Sequence, residues 1–586
     1  MRRIGSGRSR RGHRAVGLVL ATVTAALVAS CGWFPVRVGP DHVTGSTNVF
    51  YHDLDGVNDK RPLHYSISIG SNPKDLYLVL TNPTTGTIGT PTIKHHSAVS
   101  PHDEPAPRYP SPAARAAAIA ELASGPVALR DHPDLAGWEP PPLQRGTRGT
   151  FEPRGSPPAF TAVPAPDRYN PDGGTNTYDF YYDSTASPIP SILAARRENV
   201  GTLHGPKTLE IWVEEAEWMS TIQPGMVTAM ADAFLLEGYD NDIYDWVSAV
   251  FGEEWSDEAA SYGNTIQNHD TITILLYDID GDRAAGGIVG FFWAKDNFLR
   301  SEFAHSNERI MFYIDSATYG ATVSGESEWS ITNFWPNEIV STLAHELQHM
   351  INFHERWVLR DAGTPTWLDE AMSLAAEDLV EHKRGRRGPR GVDPVAHADG
   401  SAGPSDNRHG RLPLYNLAND ISLTAWGASP DILESYSMAY AFAAFLGRNY
   451  GGARLFAEMS RNASTNPNTM LASSIVAAGG PPGMTLKQLL WQWGAAVLLS
   501  DDSRRPPYRL NPGMWMTSTS GGFSYSLGSI DHYRYRDNLF VRTGAIEAAR
   551  MEPASKMLYL VGTGLTGTVE IDIEFQRGMD LTVVVK

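Results

Sequence analysis

The sequence predicts an α+β fold, because strand-like and helix-like patterns occupy different stretches of its 586 residues. Two short apolar runs, Leu209–Val213 and Thr271–Leu276, have the composition of buried strands. Amphipathic helices are predicted around 222–252. From Ile339 to Ile351 apolar residues recur at three- and four-residue spacing, which indicates a helix packed in a core. Strand-like runs return at 556–561, 569–575 and 581–585. The order predicts one mixed domain flanked by β modules.

Composition divides the chain further. Of its 40 prolines, 18 fall between residues 101 and 200, which is typical of a linker with little core of its own. The helical patch Ala113–Leu129 lies inside this stretch, part of which could pack on the next domain. The predicted division is a leader at 1–30, a small β-rich module at 31–95, a Pro-rich linker or partly ordered segment at 96–200, a mixed α+β domain at 201–500 and a β-sandwich-like domain at 501–586.

Charge and apolar content limit the class of partner. The net charge is −18, which argues against a nucleic-acid partner, and 42% apolar residues can form substantial cores. No feature of the sequence predicts an oligomeric state.

The amino-terminal residues predict export. Six arginines precede the apolar run Ala15–Ala29, which is typical of a secretion signal. The run leads into Leu27-Val28-Ala29-Ser30-Cys31, which resembles the lipobox of bacterial lipoproteins. The resemblance implies cleavage before Cys31 and a lipid on its thiol. Cys31 is the only cysteine, so no disulfide can form within the chain. We expect a lipoprotein anchored at the cell or outer membrane, with a periplasmic or extracellular body; the alternative is a signal peptide cut nearby and an incidental cysteine.

The segment His345-Glu346-Leu347-Gln348-His349 carries the chemistry. Two histidines four residues apart on a helix point the same way and can bind one zinc ion. Glu346 then lies beside the metal, where a carboxylate can act as general base toward water. The alternative is that His345 and His349 are ordinary helix residues.

A catalytic zinc needs a third protein ligand. The metzincin pattern would place Gly at 352 and His at 355, but the chain has Asn352 and Glu355. His354 is one residue short of that position and is interpreted as a surface or supporting residue. The better candidate is Glu370, which opens a second apolar-periodic helix and could meet both histidines across a helix pair.

The segment Ala344–Phe353, followed by Trp367-Leu368-Asp369-Glu370-Ala371-Met372-Ser373, resembles the gluzincin metallopeptidases and is most similar to the hyicolysin family of bacterial neutral metalloproteases. The resemblance covers about 335–451. It implies a zincin-like catalytic domain at 201–500, with His345, His349 and Glu370 as zinc ligands and Glu346 as general base.

The resemblance also implies an oxyanion donor later in the chain. Tyr436 is the candidate, with Tyr440 as the alternative, although aromatic packing could explain both. From spacing, Glu377 lies two turns after Glu370 and could orient a ligating imidazole; a solvated helix carboxylate is the alternative. Asp369 could instead cap its helix.

A calcium site is a weaker possibility. Asp278, Asp280 and Asp282 place three carboxylates within five residues, but the twelfth-position Glu of an EF-hand loop is missing. An acidic turn is the preferred interpretation.

These features predict a membrane-tethered zinc endopeptidase that acts on proteins or peptides. The strand at 308–315 is considered as the edge on which an extended substrate pairs, although an ordinary core strand is the preferred interpretation. An aminopeptidase of the same clan is one alternative, although the Gly-x-Met-Glu-Asn motif that holds a substrate amine is missing. The other is a surface adhesin or ligand-binding lipoprotein with weak or lost peptidase activity.

Overall fold

The computed structural model describes residues 36–37, 42–44, 47–54, 62–95, 111–123, 128–129, 138–145, 177–182 and 187–586, the last with gaps at 268–269, 404–409, 429–431, 502–504, 545 and 547–549. The predicted leader at 1–30, Cys31 and much of the Pro-rich stretch lie outside the described residues. The described chain contains both helices and sheets, which confirms the α+β prediction.

Twelve α-helices lie in the described part of the chain: α1 (Pro112–Ala123), α2 (Pro224–Phe234), α3 (Ile243–Phe251), α4 (Asp257–Ala260), α5 (Ser316–Gly320), α6 (Phe334–Asn352), α7 (Thr366–Arg384), α8 (Leu412–Ala418), α9 (Ile432–Tyr450), α10 (Ala453–Ser460), α11 (Pro467–Ala477) and α12 (Leu486–Leu498). A π-helical turn, Phe353–Val358, follows α6.

The strands in the same part of the chain are β1 (Val36–Arg37), β2 (His42–Thr44), β3 (Thr47–His52), β4 (Pro62–Asn82), β5 (Ile88–Gly89), β6 (Thr92–His95), β7 (Ala128–Leu129), β8 (Thr177–Phe180), β9 (Ile189–Thr202), β10 (Gly205–Glu214), β11 (Thr271–Tyr277), β12 (Gly287–Ile288), β13 (Gly290–Phe292), β14 (Ile310–Asp315), β15 (Met516–Ser520), β16 (Phe523–Leu527), β17 (Arg542–Thr543), β18 (Arg550–Met551), β19 (Ser555–Glu574) and β20 (Asp580–Val585).

The central sheet has six strands in the order β13-β14-β11-β10-β9-β8. β10, β11 and β14 are parallel, so that Ile272 lies opposite Leu209 on one side and Ile310 on the other. β9 and β13 pair antiparallel with their neighbours. Every residue of β14 is buried, and its mainly apolar run suits a strand covered on both faces.

Helices α6 and α7 carry the histidine motif and the Trp367–Ser373 segment. Leu343, Leu347 and Ile351 of α6 are fully buried, as their spacing predicts. α6 packs against α3, α7 and β13, and the far side of α7 packs against α9. The two motif-bearing helices are therefore neighbours in the core. No helix in the described part of the chain is both long and apolar enough to cross a bilayer.

A second sheet joins strands from both ends of the chain. Its main order is β17-β19-β4-β20-β3-β2, and β1 and β6 add to β4 and β19. β4 and β19, 21 and 20 residues long, pair antiparallel with register shifts, and each continues through two stretches that the sequence presents as separate strands. Several strands of the predicted 31–95 and 501–586 modules thus share one sheet. The sequence did not predict this pairing, because alternation indicates a strand and not its partner. A β-sandwich stays a prediction.

Parts of the Pro-rich stretch pack on the central domain. Arg115 of α1 pairs with Asp420 at 2.5 Å, and its guanidinium lies 4.2 Å from the centre of the Phe540 ring. β7 pairs in parallel with β12, and the carbonyl of Leu129 accepts a hydrogen bond from the amide of Val289 at 2.8 Å. The described portions of this stretch are therefore held against the fold.

The strand considered as a substrate edge is interior. β14, within 308–315, lies between β11 and β13, which confirms the preferred interpretation of a core strand and excludes β14 as a free edge. The edge strand on this side of the central sheet is the short β13. Its sequence has no pattern that predicted a strand there. A local pattern shows that a segment is extended, whereas its place in a sheet depends on pairing with distant residues.

Candidate metal centre

The two motif histidines lie on one face of α6. Their imidazole centroids are 4.7 Å apart, as expected for residues four apart on a helix. His345 is fully buried, and His349 is 9% exposed. Only His349 therefore borders solvent, which is what a site with one open side requires.

Glu370, in the second turn of α7, reaches both imidazoles from the neighbouring helix. One of its carboxylate oxygens lies 3.2 Å from Nε2 of His345, and the other lies 3.5 Å from Nε2 of His349. Ligand atoms about 2.1 Å from a tetrahedral zinc would lie about 3.4 Å from one another. Two imidazole nitrogens and one carboxylate oxygen are also the donors that zinc prefers. The residues therefore fit a zinc ion with three protein ligands.

His345 is oriented by a second carboxylate. Its Nδ1 lies 2.9 Å from Glu377 Oε1, and the hydroxyl of Ser341 donates to Glu377 Oε2 at 2.7 Å. Because a carboxylate accepts, Glu377 holds the Nδ1 proton of His345 and leaves Nε2, which faces Glu370, as the nitrogen that could bind a metal ion. Glu377 therefore contacts the imidazole that its spacing predicted it to orient, and the orienting role stays a prediction.

His349 has different partners, and sequence reasoning missed them. Its Nδ1 lies 3.2 Å from Ser373 Oγ and 3.2 Å from Asp369 Oδ1. The helix cap is Pro365, so the capping expectation for Asp369 is wrong. The available signal was the position of Asp369 directly before the proposed ligand, which turns its side chain toward the same neighbouring helix.

Glu346 is fully buried on α6 between the two histidines. Because Glu346 directly follows His345 and lies within one turn of His349, its Cα is fixed close to both proposed ligands. Its role as general base stays a prediction.

The two candidate tyrosines lie on α9, and both are fully buried. The Tyr436 ring packs edge-on against Trp426 with centroids 5.0 Å apart, and the guanidinium of Arg411 lies 5.1 Å from the ring centre. Tyr440 is near the buried Arg448 and Asp378, and burial is the main cause that raises its pKa. The oxyanion role of Tyr436, and the choice between it and Tyr440, stay predictions.

His354 is buried rather than at the surface. Its Nδ1 lies 2.6 Å from the carbonyl of Glu253, and its Nε2 lies 2.8 Å from Ser256 Oγ. Burial is the main cause that lowers its pKa, so the ring is neutral near pH 7. His354 therefore ties the segment after α6 to the loop after α3.

The acidic segment at 278–282 closes a turn. Asp278 Oδ1 accepts from the amide of Arg283 at 3.1 Å, and Asp282 Oδ1 accepts from the amide of Ala284 at 2.8 Å. Within the described residues, the one group of three or more ligand-type side chains whose atoms converge is His345, His349 and Glu370, all within 4.8 Å of one another. Calcium binding stays a prediction.

Comparison with known proteins agrees with this geometry. Residues 193–503, over half of the chain, match the peptidase M30 family. The chain belongs to the peptidase M30 family. The family match confirms the predicted hyicolysin-like relationship. It and the converging donor atoms together support a divalent metal ion at this site.

One curated relative is similar over part of its length. The neutral metalloprotease ShpI of Staphylococcus hyicus is 28% identical over 232 residues, which cover 38% of this chain and 43% of that protein. The chain thus matches less than half of the length of its relative.

Proposed function

We propose that the protein is a zinc-dependent endopeptidase. The observation that carries the proposal is the convergence of His345, His349 and Glu370 on one buried point, with Glu346 on the same helix as the histidines. The family relationship supports the same conclusion.

The residues divide the chemistry among them. His345, His349 and Glu370 would hold the zinc, which when bound supplies Lewis acidity that activates water and polarises a carbonyl group. Glu346 takes a proton from the attacking water and passes it to the leaving amine. Glu377 and Asp369 hold the imidazoles so that Nε2 of each faces the site. No covalent acyl intermediate is required.

Tyr436 is proposed as the donor to the oxyanion. The phenol O–H of a tyrosine is a hydrogen-bond donor. A hydrogen-bond donor at the developing negative charge is worth roughly 3 kcal/mol in other hydrolases.

The endopeptidase assignment rests on β13, the edge strand of the central sheet. Gly290 of β13 lies so close to α6 that an added Cβ would be 2.8 Å from the Thr342 methyl group, one turn before Glu346. An extended peptide paired with β13 would therefore pass beside the metal-bearing helix. Such pairing needs main-chain atoms and no free terminus, which favours cleavage within a chain over removal of terminal residues.

Metal removal tests the proposal. Casein cleavage by the purified protein should stop after chelation and return with added zinc. Glu370→Gln should weaken zinc binding by more than the roughly 10- to 100-fold typical of losing an outer hydrogen-bond partner. Glu458→Gln, the same charge change on α10, should bind zinc normally. A metal-free protein that folds and binds a ligand without cleaving protein would instead support the adhesin interpretation.

We also propose that the protein is exported and anchored to a membrane through lipid on Cys31. The support is the sequence alone: an arginine-rich leader, an apolar run, and the only cysteine at the position that lipidation needs. Protein expressed with its leader should enter the detergent phase of a Triton X-114 separation, whereas Cys31→Ser should stay in the aqueous phase. Equal partitioning of both would contradict the anchor.

A further inference from the structure

Arg356 is a buried arginine that the proposed reaction does not use. It lies on the π-helical turn after α6 and is 1% exposed. Its Nε donates to Thr364 Oγ1 at 2.7 Å, and its Nη2 donates to the carbonyls of Gly363 at 3.2 Å and Ser464 at 2.8 Å. Its Nη1 donates to the carbonyl of Asn462. One side chain thus joins the end of the metal helix to the loop after α10.

Thr364 extends this hydrogen-bonded connection toward the proposed metal centre. Its hydroxyl oxygen accepts from Arg356 Nε and also from Asn352 Nδ2, the latter at 3.1 Å. Asn352 is the last residue of α6, and the same Nδ2 donates to Asp369 Oδ1 at 2.9 Å. Asp369 Oδ1 in turn lies 3.2 Å from Nδ1 of His349. A continuous chain of hydrogen-bonding groups therefore runs from Arg356 to a proposed ligand.

We propose that Arg356, Thr364 and Asn352 are positioning residues that fix the His349 imidazole through the Asp369 carboxylate. The inference rests on the proposed metal site. It adds that the site's geometry depends on the loop at 459–464, whose carbonyls hold Arg356 in place.

The geometry explains why each residue of this hydrogen-bond chain is needed. Asp369 lies in the first turn of α7 and His349 in the last turn of α6, so their contact depends on the angle between the two helices. Asn352 and Thr364 bridge that junction from the α6 side and from the connecting segment. The planar guanidinium of Arg356 is held in one position by its other hydrogen bonds. It therefore gives the Thr364 hydroxyl one orientation, in which the oxygen lone pairs face Arg356 Nε and Asn352 Nδ2.

Thr364→Val removes the hydroxyl and keeps the shape of the side chain. Asn352 and Arg356 then lose a shared acceptor, and the Asp369 carboxylate loses its fixed position. Ser373 still contacts His349, so binding should weaken and not vanish. We expect zinc affinity, measured by competition with a chelator, to fall 10- to 100-fold, and the absorption bands of the cobalt-substituted protein to shift. Thr364→Ser, which keeps the hydroxyl, should retain wild-type affinity and spectrum.

A matched control separates positioning from stability. Thr265 is buried and its hydroxyl donates to the carbonyl of Ala259, away from the proposed ligands. Thr265→Val should lower the unfolding temperature without changing zinc affinity or the cobalt spectrum. If Thr364→Val does not fold, Asn352→Asp provides the same test, because it replaces the donor to Asp369 with a repelling carboxylate and keeps the shape.

The outcomes distinguish failure of the proposed function from failure of this inference. If the wild-type protein binds no zinc, the proposed function and this inference fall together. If the wild type binds zinc, and Thr364→Val or Asn352→Asp binds it with unchanged affinity and an unchanged cobalt spectrum, the positioning chain is overturned while the metal site stands.

Discussion

Glu346→Gln should leave the protein folded and zinc-loaded while lowering peptide hydrolysis by roughly 10²- to 10⁴-fold, the contribution expected of a positioned general base. The amide has the shape of the carboxylate but cannot accept the proton from water. Glu346 is fully buried between the two histidines, so the substitution changes the proton acceptor and not the ligands. The measurement is initial cleavage of a quenched fluorescent peptide, with zinc content determined on the same sample.

The matched control is Glu258→Gln, the same change on an exposed position of α4. It should cleave at the wild-type rate. If Glu346→Gln also cleaves at that rate with zinc bound, the assigned proton transfer is wrong. If neither the wild type nor any variant cleaves peptides while all bind zinc, the domain serves a binding function.

The metal-site residues could be predicted because their arrangement is local. Four-residue spacing on a helix places His345 and His349 together wherever that helix lies, and Glu346 is fixed with them. Glu370 needed one further step, that its helix packs against the first, and the apolar stripes on both supported it. The structure brings the three proposed ligands together, and Glu346 lies on the same helix as the two histidines.

Residues that support the site were not predictable in the same way. Thr364 and Arg356 follow no recognisable pattern in the sequence, and their roles depend on which loop and which helix end come together. Ser373 appeared in the sequence only as part of a resemblance. Hydrogen bonds between side chains distant in sequence depend on tertiary packing, which no local pattern records.

The second sheet, which joins strands from both ends of the chain, shows the same limit on prediction from local patterns. Alternation located its strands, including β20, but gave no sign that β20 lies between β3 and β4 from the other end of the chain. Pairing across some 500 residues depends on complementary faces that form only as the chain folds.

Helix α7 is held from its other side by a buried ion pair whose loss should be costly. Arg448 of α9 is fully buried and makes two hydrogen bonds to the Asp378 carboxylate, at 2.7 and 3.3 Å. Burial is the largest single effect and lowers the pKa of Arg448, but the charge and hydrogen bonds of Asp378, together with the charges of Tyr440 and Glu381, raise the pKa on balance. A second buried pair, Glu381 with Arg390, lies one turn further along α7 at 2.6 Å.

Asp378→Ala should therefore lower the free energy of unfolding by about 3–5 kcal/mol, because it leaves a guanidinium buried without its carboxylate. The measurement is denaturant unfolding followed by tryptophan fluorescence. The double variant Asp378→Leu with Arg448→Met should recover most of that loss, since it removes both charges from the core. Glu121→Ala, which breaks a more exposed pair with Arg536, should cost no more than about 1 kcal/mol.

Helix α7 also links this ion pair to the proposed metal site. α7 presents Glu370 and Glu377 to α6 and Asp378 to α9, so the ion pair sets the position of the helix that carries the third proposed ligand. The destabilised Asp378→Ala protein should bind zinc more weakly than the double variant. If Asp378→Ala unfolds like the wild type, Arg448 has another compensating partner and α7 does not depend on this pair.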